Sequence, residues 1–227
     1  MSSLAKTLVW RFGFALKETG LALETLGCKL QGNYSFKEKL SRHSTLTQVQ
    51  YKEPSLGKNT FIAPSALVAG DVIIGDKASV WYNAVVRGDH RPVTIGENSN
   101  IQDNVFVGST SEFSPETFIG RNVSIGHGAV LKGCTIGDNV LVGMNAVISE
   151  KVTVQPNSVV AAGAYLPEEA VVQTGEVWAG SPARKLRDLR PKEIQYLSTL
   201  PERYVESSAE HSAMMELLSL KQKEFIK

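Results

Sequence analysis

The stretch TIGDNVLVGMNAVISEKVTV, residues 135–154, decides the fold. Its aliphatic residues Ile136, Val142, Ile148 and Val154 recur every six positions. That spacing fits neither a helix, whose faces repeat at about 3.6, nor a half-buried strand, whose faces repeat at about 2. Extended in both directions, the same phase takes in Ile62, Val68, Ile74, Val80 and Val86, then Ile95, Ile101 and Val107, then Ile119, Ile125 and Leu131. Beyond Val154 it continues through Val160 to Leu166. Thirteen of the 16 steps between these residues are six long, so the pattern is a true internal repeat. The residue after the aliphatic one is often small, as at Gly75, Gly96, Gly120, Gly126, Gly137 and Gly143. An inward aliphatic with a small neighbour makes a short strand and a corner, and three such units close one triangular coil of a parallel β-helix. The expected protein is mainly β, with a β-helix over residues 51–180 flanked by segments 1–50 and 181–227.

Two long steps interrupt the period. One spans RGDHRPVT after Val86, the other STSEFSPET after Gly108, and both are expected to leave the coil as loops. The ends of a solenoid need covers. Pro191 suits the first turn of a helix carrying Ile194 and Leu197, with Pro201 expected to end it. From Tyr204 onward His211, Met214, Met215, Leu217 and Leu218 are expected to line the packed side of a long C-terminal helix. His211 on that stripe is expected to pack rather than to ligate, and His43 carries no signal.

The first 17 residues contain Lys6, Arg11 and Lys17 and no acid, while Leu4, Ala5, Leu8, Val9, Phe12, Ala15 and Leu16 share one helical face. A basic amphipathic helix of this kind suits a mitochondrial address or an anionic membrane surface; docking on a partner subunit is the alternative. With 24 basic and 23 acidic residues, the net charge gives no reason to expect nucleic acid. Cys28 and Cys134 lie far apart with no neighbouring cysteine, which suits buried thiols in a reducing compartment. No apolar run reaches the roughly 18 residues of a spanning helix.

The chemistry concentrates in VVRGD, with Arg87 and Asp89, in NIQDN, with Gln102 and Asp103, and in SIGHGAVLKGC, with His127 and Lys132. Positions 15 to 18 apart stack along an edge of the coil, so these residues are expected to cluster around His127. Arg87 and Asp89 also suit an ion pair at a trimer interface. Together with the N-terminal block KETGLALETLGCKLQGNYSFKEKLSRHSTL and with GEVWAGSPAR, these motifs make the chain resemble the gamma-class carbonic anhydrases, most closely the plant and algal forms on mitochondrial complex I.

The resemblance implies a left-handed β-helix, a trimer, and zinc held at each subunit interface by three histidines, with a bound water whose pKa falls to about 7. Carried over, the first ligand position is Gly108, the second His127 and the third Lys132. Two of the three are replaced, so the chain alone is not expected to be an enzyme. The resemblance also implies that the first and third ligands belong to one subunit and the second to its neighbour. The expected role is therefore structural, in a heterotrimer on the matrix side of the mitochondrial inner membrane against the complex I membrane arm. Zinc is expected only at an interface with an intact subunit, where His127 would be donated; the alternative is a relic His127 satisfied by hydrogen bonds near Asp103 or Gln102. An active carbon dioxide hydratase sharing its site with a partner is the alternative. A hexapeptide acyltransferase with His127 as general base is a third, which leaves RGD, IQDN and the N-terminal block unexplained. Lys132 is expected to pair with Asp103 in place of the metal charge.

Overall fold

A computed structural model of the chain describes residues 3–32 and 43–225, with side chains over 8–32 and 43–217. The side chains of Leu4, Ala5, Lys6 and Leu218, and residues 33–42 of the N-terminal block, lie outside the described residues. The chain forms two compact units, 1–42 and 43–227.

The first unit holds α1, Ser3–Gln31. Leu8, Phe12, Leu16, Leu23 and Leu26 along it are exposed, and Trp10 stacks on Phe14 with ring centroids 5.5 Å apart.

The second unit is the coil, and its register follows the period of six. On one wall Val68, Val86, Val107, Leu131, Ile148 and Leu166 are successive parallel partners. On the next are Ile74, Ile95, Ile119, Ile136, Val154 and Val172. On the third, Val80, Ile101, Ile125, Val142 and Val160 follow one another. Every one of these side chains is at most 1% exposed. Each therefore contributes roughly 2 kcal/mol of apolar burial, and the three columns merge into one core. The long steps leave this ladder in register, because Val86 and Val107 and then Ile95 and Ile119 pair across them.

One corner carries a device that fixes the turn. Asn98, Asn122, Asn139 and Asn157 all have φ between 54° and 56°, the left-handed region that asparagine tolerates better than most residues. Asn98, Asn122 and Asn139 each donate through Nδ2 to the Oδ1 of the next asparagine at 3.2 Å, giving a stacked amide ladder along the edge that ends at Asn157.

Three expectations about the fold are corrected. RGDHRPVT does not leave the coil as a loop; it lies inside one strand, Val85–Ile95, in which Asp89 to Pro92 bulge opposite the single residue Asp71. The hydrogen-bond ladder resumes at Val93, so the extra residues distort the strand without ending it. GEVWAGSPARKLRDL forms an antiparallel hairpin, Glu176–Gly180 with Ala183–Asp188, that covers the end of the coil. Pro201 does not end a helix, because α2 runs unbroken from Pro191 to Phe225. The ring of Pro201 is buried, so its packing offsets the backbone bond it cannot donate.

The packed stripe of α2 also differs from the expected one. It comprises Leu197, Pro201, Tyr204, Ser208, His211 and Met215, while Met214 and Leu217 are exposed. A polar serine thus holds a buried place that apolarity alone does not reveal. The start of α2 is tied down by Glu193, which accepts two bonds of 2.7 Å from the Arg187 guanidinium and one from the Arg190 amide.

Candidate functional site

The turns and the strand ends of one wall create two separate columns of functional residues. At the corner entering the wall stand Tyr82, Asp103 and His127, one coil apart. At the far end of its strands stand Arg87, Gly108 and Lys132, aligned as Cα partners. The sequence spacing merges these columns into one cluster, but the strand between them separates them. Arg87 and Asp89 therefore do not join the His127 group; they form an ion pair with each other beside Gly108. Partial burial opposes ionisation of Asp89, but the bond and charge of Arg87 outweigh it and hold the carboxyl below its ordinary range.

His127 sits in the turn between strands Ser124–Ile125 and Val130–Lys132. The amide of Asn145 donates to its carbonyl at 2.8 Å, and the amide of Gly128 donates to the Asp103 carbonyl at 2.9 Å, locking this turn onto its neighbours. Gly128 has φ of 69°, and a Cβ there would lie 2.3 Å from Asn145 Oδ1, so glycine fits the turn without displacing that side chain. The Asp103 carboxylate accepts from the Tyr82 amide at 2.9 Å through Oδ1 and lies 3.2 Å from His127 Nδ1 through Oδ2. The carboxylate lies on the Nδ1 side of the ring, which leaves Nε2 for an external partner.

Next to Asp103 in sequence, Gln102 is 4% exposed and donates through Nε2 to Asn100 Oδ1, whose own Nδ2 donates to Ser124 Oγ. Gln102 Oε1 has no hydrogen-bond partner among the described residues.

At the far end of the wall Gly108 offers no donor atom. Lys132 brings a positive charge that helps to lower the Glu150 carboxyl, and among the described residues it forms no ion pair with Asp103. The expected Lys132–Asp103 pair is thus replaced, because Asp103 faces the other column. Hydrogen bonds from Thr110, then from Ser114, and the charges of Lys132 and Lys151 hold the Glu150 carboxyl below its ordinary range. This hydroxyl–carboxylate–lysine group has no motif in the sequence. Only the serine and threonine content of the segment after Gly108 hinted at it.

Among the described residues no three His, Cys, Asp or Glu side chains converge as a metal-holding group. The set at Gly108, Lys132 and Glu150 does not fit zinc: one donor is missing and a cation stands in the place of another. His127 by itself does fit as a single ligand, oriented by its carboxylate.

A pocket of about 450 Å³ opens on the same corner, lined by Trp81, Tyr82, Asp103, His127, Tyr204 and His211 among others. His211 packs here as expected, its Nδ1 lying 3.0 Å from the Tyr82 hydroxyl and its ring 5.1 Å from that of Trp81. Burial, and then the Asp103 charge, push the Tyr204 hydroxyl upward in pKa.

The coil and its corners define a hexapeptide-repeat protein, and the family described as bacterial transferase hexapeptide (six repeats) matches residues 53–88, 116–150 and 133–168. Closer comparison narrows this. The chain is 46% identical over 205 residues to gamma carbonic anhydrase 1, mitochondrial, of Arabidopsis thaliana, covering 88% of this chain and 74% of that one. It is 44% identical to a probable carbonic anhydrase of Methanocaldococcus jannaschii, covering 67% of this chain and 95% of the relative. Among solved structures, a hexapeptide transferase family protein from Anaplasma phagocytophilum superposes with a TM-score of 0.70 at 39% identity, covering 73% of this chain and 96% of that chain. The chain belongs to the gamma carbonic anhydrase family.

Proposed function

We propose that this chain is a non-catalytic member of a heterotrimer of gamma carbonic anhydrase subunits, and that it donates His127 to a zinc site completed by an intact neighbour. The observation that carries this reading is the asymmetry between the two columns. The donated position is kept and oriented, with Asp103 on Nδ1 and Nε2 left for a partner. The positions the chain would use for its own site hold glycine and lysine. With two intact partners, two of three interfaces would keep a full set of ligands. Zinc bound there would supply a water acidic enough to act as hydroxide near neutral pH. This chain's part is to fix one imidazole beside the Asp103 carboxylate.

The module is assigned to the matrix side of the mitochondrial inner membrane, against the membrane arm of complex I. Support comes from the resemblance to the plant and algal forms, from relatives named as mitochondrial, and from α1, whose exposed apolar residues and basic start suit a membrane surface. Among the described residues no helix is long and apolar enough to cross a membrane, so the contact assigned to α1 is peripheral.

The test is the zinc content of a heterotrimer reconstituted with intact partners, with and without His127→Ala. Loss of about half the zinc is expected where two sites exist and one uses His127. Unchanged zinc would sink the donation.

A further inference from the structure

The third wall leaves room under α2. The residues that follow its inward column are Trp81, Gln102, Gly126, Gly143 and Ala161, one coil after another. Side chains are long at the start of this row and nearly absent after Gln102. α2 spans both parts. Its Tyr204 ring centroid lies 5.7 Å from that of Trp81, and its Tyr196, Leu200 and Tyr204 face Gly143, Ala161 and Ala162 across a groove of about 400 Å³. A Cβ on Gly143 would lie 2.3 Å from the Ala162 amide nitrogen, so the stacking of the coils itself keeps this floor bare.

Gln102 lines the same groove, at the point in the row where long side chains give way to small ones. It is 4% exposed, and its Nε2 is engaged by Asn100 Oδ1 at 3.1 Å. Its Oε1 has no partner among the described residues, a state that buried carbonyl oxygens seldom keep. Tyr196 is 45% exposed, so the groove opens to solvent on that side. An open groove of this size, with apolar walls and one unsatisfied polar atom, has the make-up of a small-molecule site.

The walls restrict what fits. No acidic or basic side chain lines the groove, so a charged ligand would lose its hydration with nothing to replace it. The bare floor and the two tyrosine rings opposite suit a flat apolar body, stacked on the rings or edge-on to them. The free atom is an acceptor, so it calls for a donor. We propose that the groove binds an uncharged, flat apolar molecule carrying a single N–H or O–H, with that group donating to Gln102 Oε1 and the body held between the coil and the rings of Tyr196 and Tyr204. Neither His127 nor Asp103 lines the groove, and the site is independent of the donation of His127 to zinc.

The experiment is a methyl NMR titration of the full chain with two probes: indole, whose ring N–H donates and which offers no acceptor, and 1-methylindole, which keeps the rings and lacks the donor. Both are expected to give saturable shifts at the methyls of Leu141, Val159 and Leu200, which line the groove. Indole is expected to bind roughly 3- to 10-fold more tightly, the increment of one neutral hydrogen bond. Gln102→Met removes the acceptor at similar length and is expected to abolish that preference while leaving 1-methylindole unchanged. Ala162→Phe, at an exposed position, fills the groove and is expected to lose both probes. Absence of saturable shifts at these methyls overturns the site. Equal affinity of the two probes for wild type overturns the role of Gln102 Oε1, and so does a preference that survives Gln102→Met. Binding that persists in Ala162→Phe places the probes elsewhere and overturns the groove. The comparison of probes on wild type needs no variant, so it decides the matter even where Gln102→Met fails to fold.

Discussion

Replacing Gly108 by alanine probes whether the lost ligand position is merely unused or physically closed. A Cβ built on Gly108 lies 2.9 Å from the carbonyl oxygen of Arg87, 3.3 Å from Phe106 Cζ and 3.4 Å from Arg87 Cβ. The first contact is about half an ångström too close, and it is to backbone, which cannot swing aside. Nor is the strand free to move: the Gly108 carbonyl accepts from the Gly133 amide at 3.0 Å and from Thr117 Oγ1 at 3.2 Å. Overpacking of this kind costs about 1–3 kcal/mol, against a gain of about 0.4–1 kcal/mol from a stiffer unfolded chain. The midpoints leave a net loss of about 1.3 kcal/mol, a fall of roughly 3–5 °C in Tm for a domain of this size. Thermal unfolding followed by circular dichroism, with urea midpoints alongside, reads it directly. A Gly108→Ala protein as stable as wild type would refute the reasoning. It would mean that a histidine could be restored at 108 by simple exchange. The expected result means that restoring the site requires the wall at Arg87 to shift.

Three further outcomes follow from the same contacts. Asp103→Asn removes the carboxylate that orients His127, and is expected to weaken zinc retention by the reconstituted heterotrimer by about 10- to 100-fold in a chelator competition. The Glu193 carboxyl, pulled from its ordinary value of 4.5 to about 2, chiefly by its bond to Arg187, gives stability that is full above about pH 4.5 and is lost as the pH falls towards 2. Arg187→Ala is expected to flatten the decline in Tm across that window, and an unchanged pH profile would contradict the pairing. Burial pushes the Cys134 thiol up to about 12, so a thiol reagent at neutral pH is expected to modify one cysteine, Cys28, in the native chain and both after denaturation.

The coil was legible because its cause is local and repeated: each inward aliphatic from Ile62 to Leu166 reports its own rung, and 13 agreeing steps leave little room for another fold. The amide ladder is written in the sequence as Gly-x-Asn at 96–98, 120–122 and 137–139, a weaker signal than the aliphatic repeat because Asn157 lacks the glycine. The site was half legible. Stacking of positions one coil apart placed Asp103 against His127, but it could not tell the two ends of a three-residue strand apart, so Arg87 and Lys132 were drawn into the wrong group. Glu150 was invisible because its partners lie 40 and 36 residues away on a loop whose path the repeat does not govern. Pro201 misled for a different reason: the rule that proline ends helices is a statement about backbone bonds, and here burial of the ring outweighs one lost bond.

The most direct test of the account is elemental analysis for zinc on two samples, the native assembly purified with its partners and this chain expressed alone. Zinc in the assembly and none in the lone chain is the predicted result, because Gly108 and Lys132 leave His127 without companions in any copy. Stoichiometric zinc retained by the lone chain would contradict it, and would require a ligand set that the glycine and lysine positions do not supply.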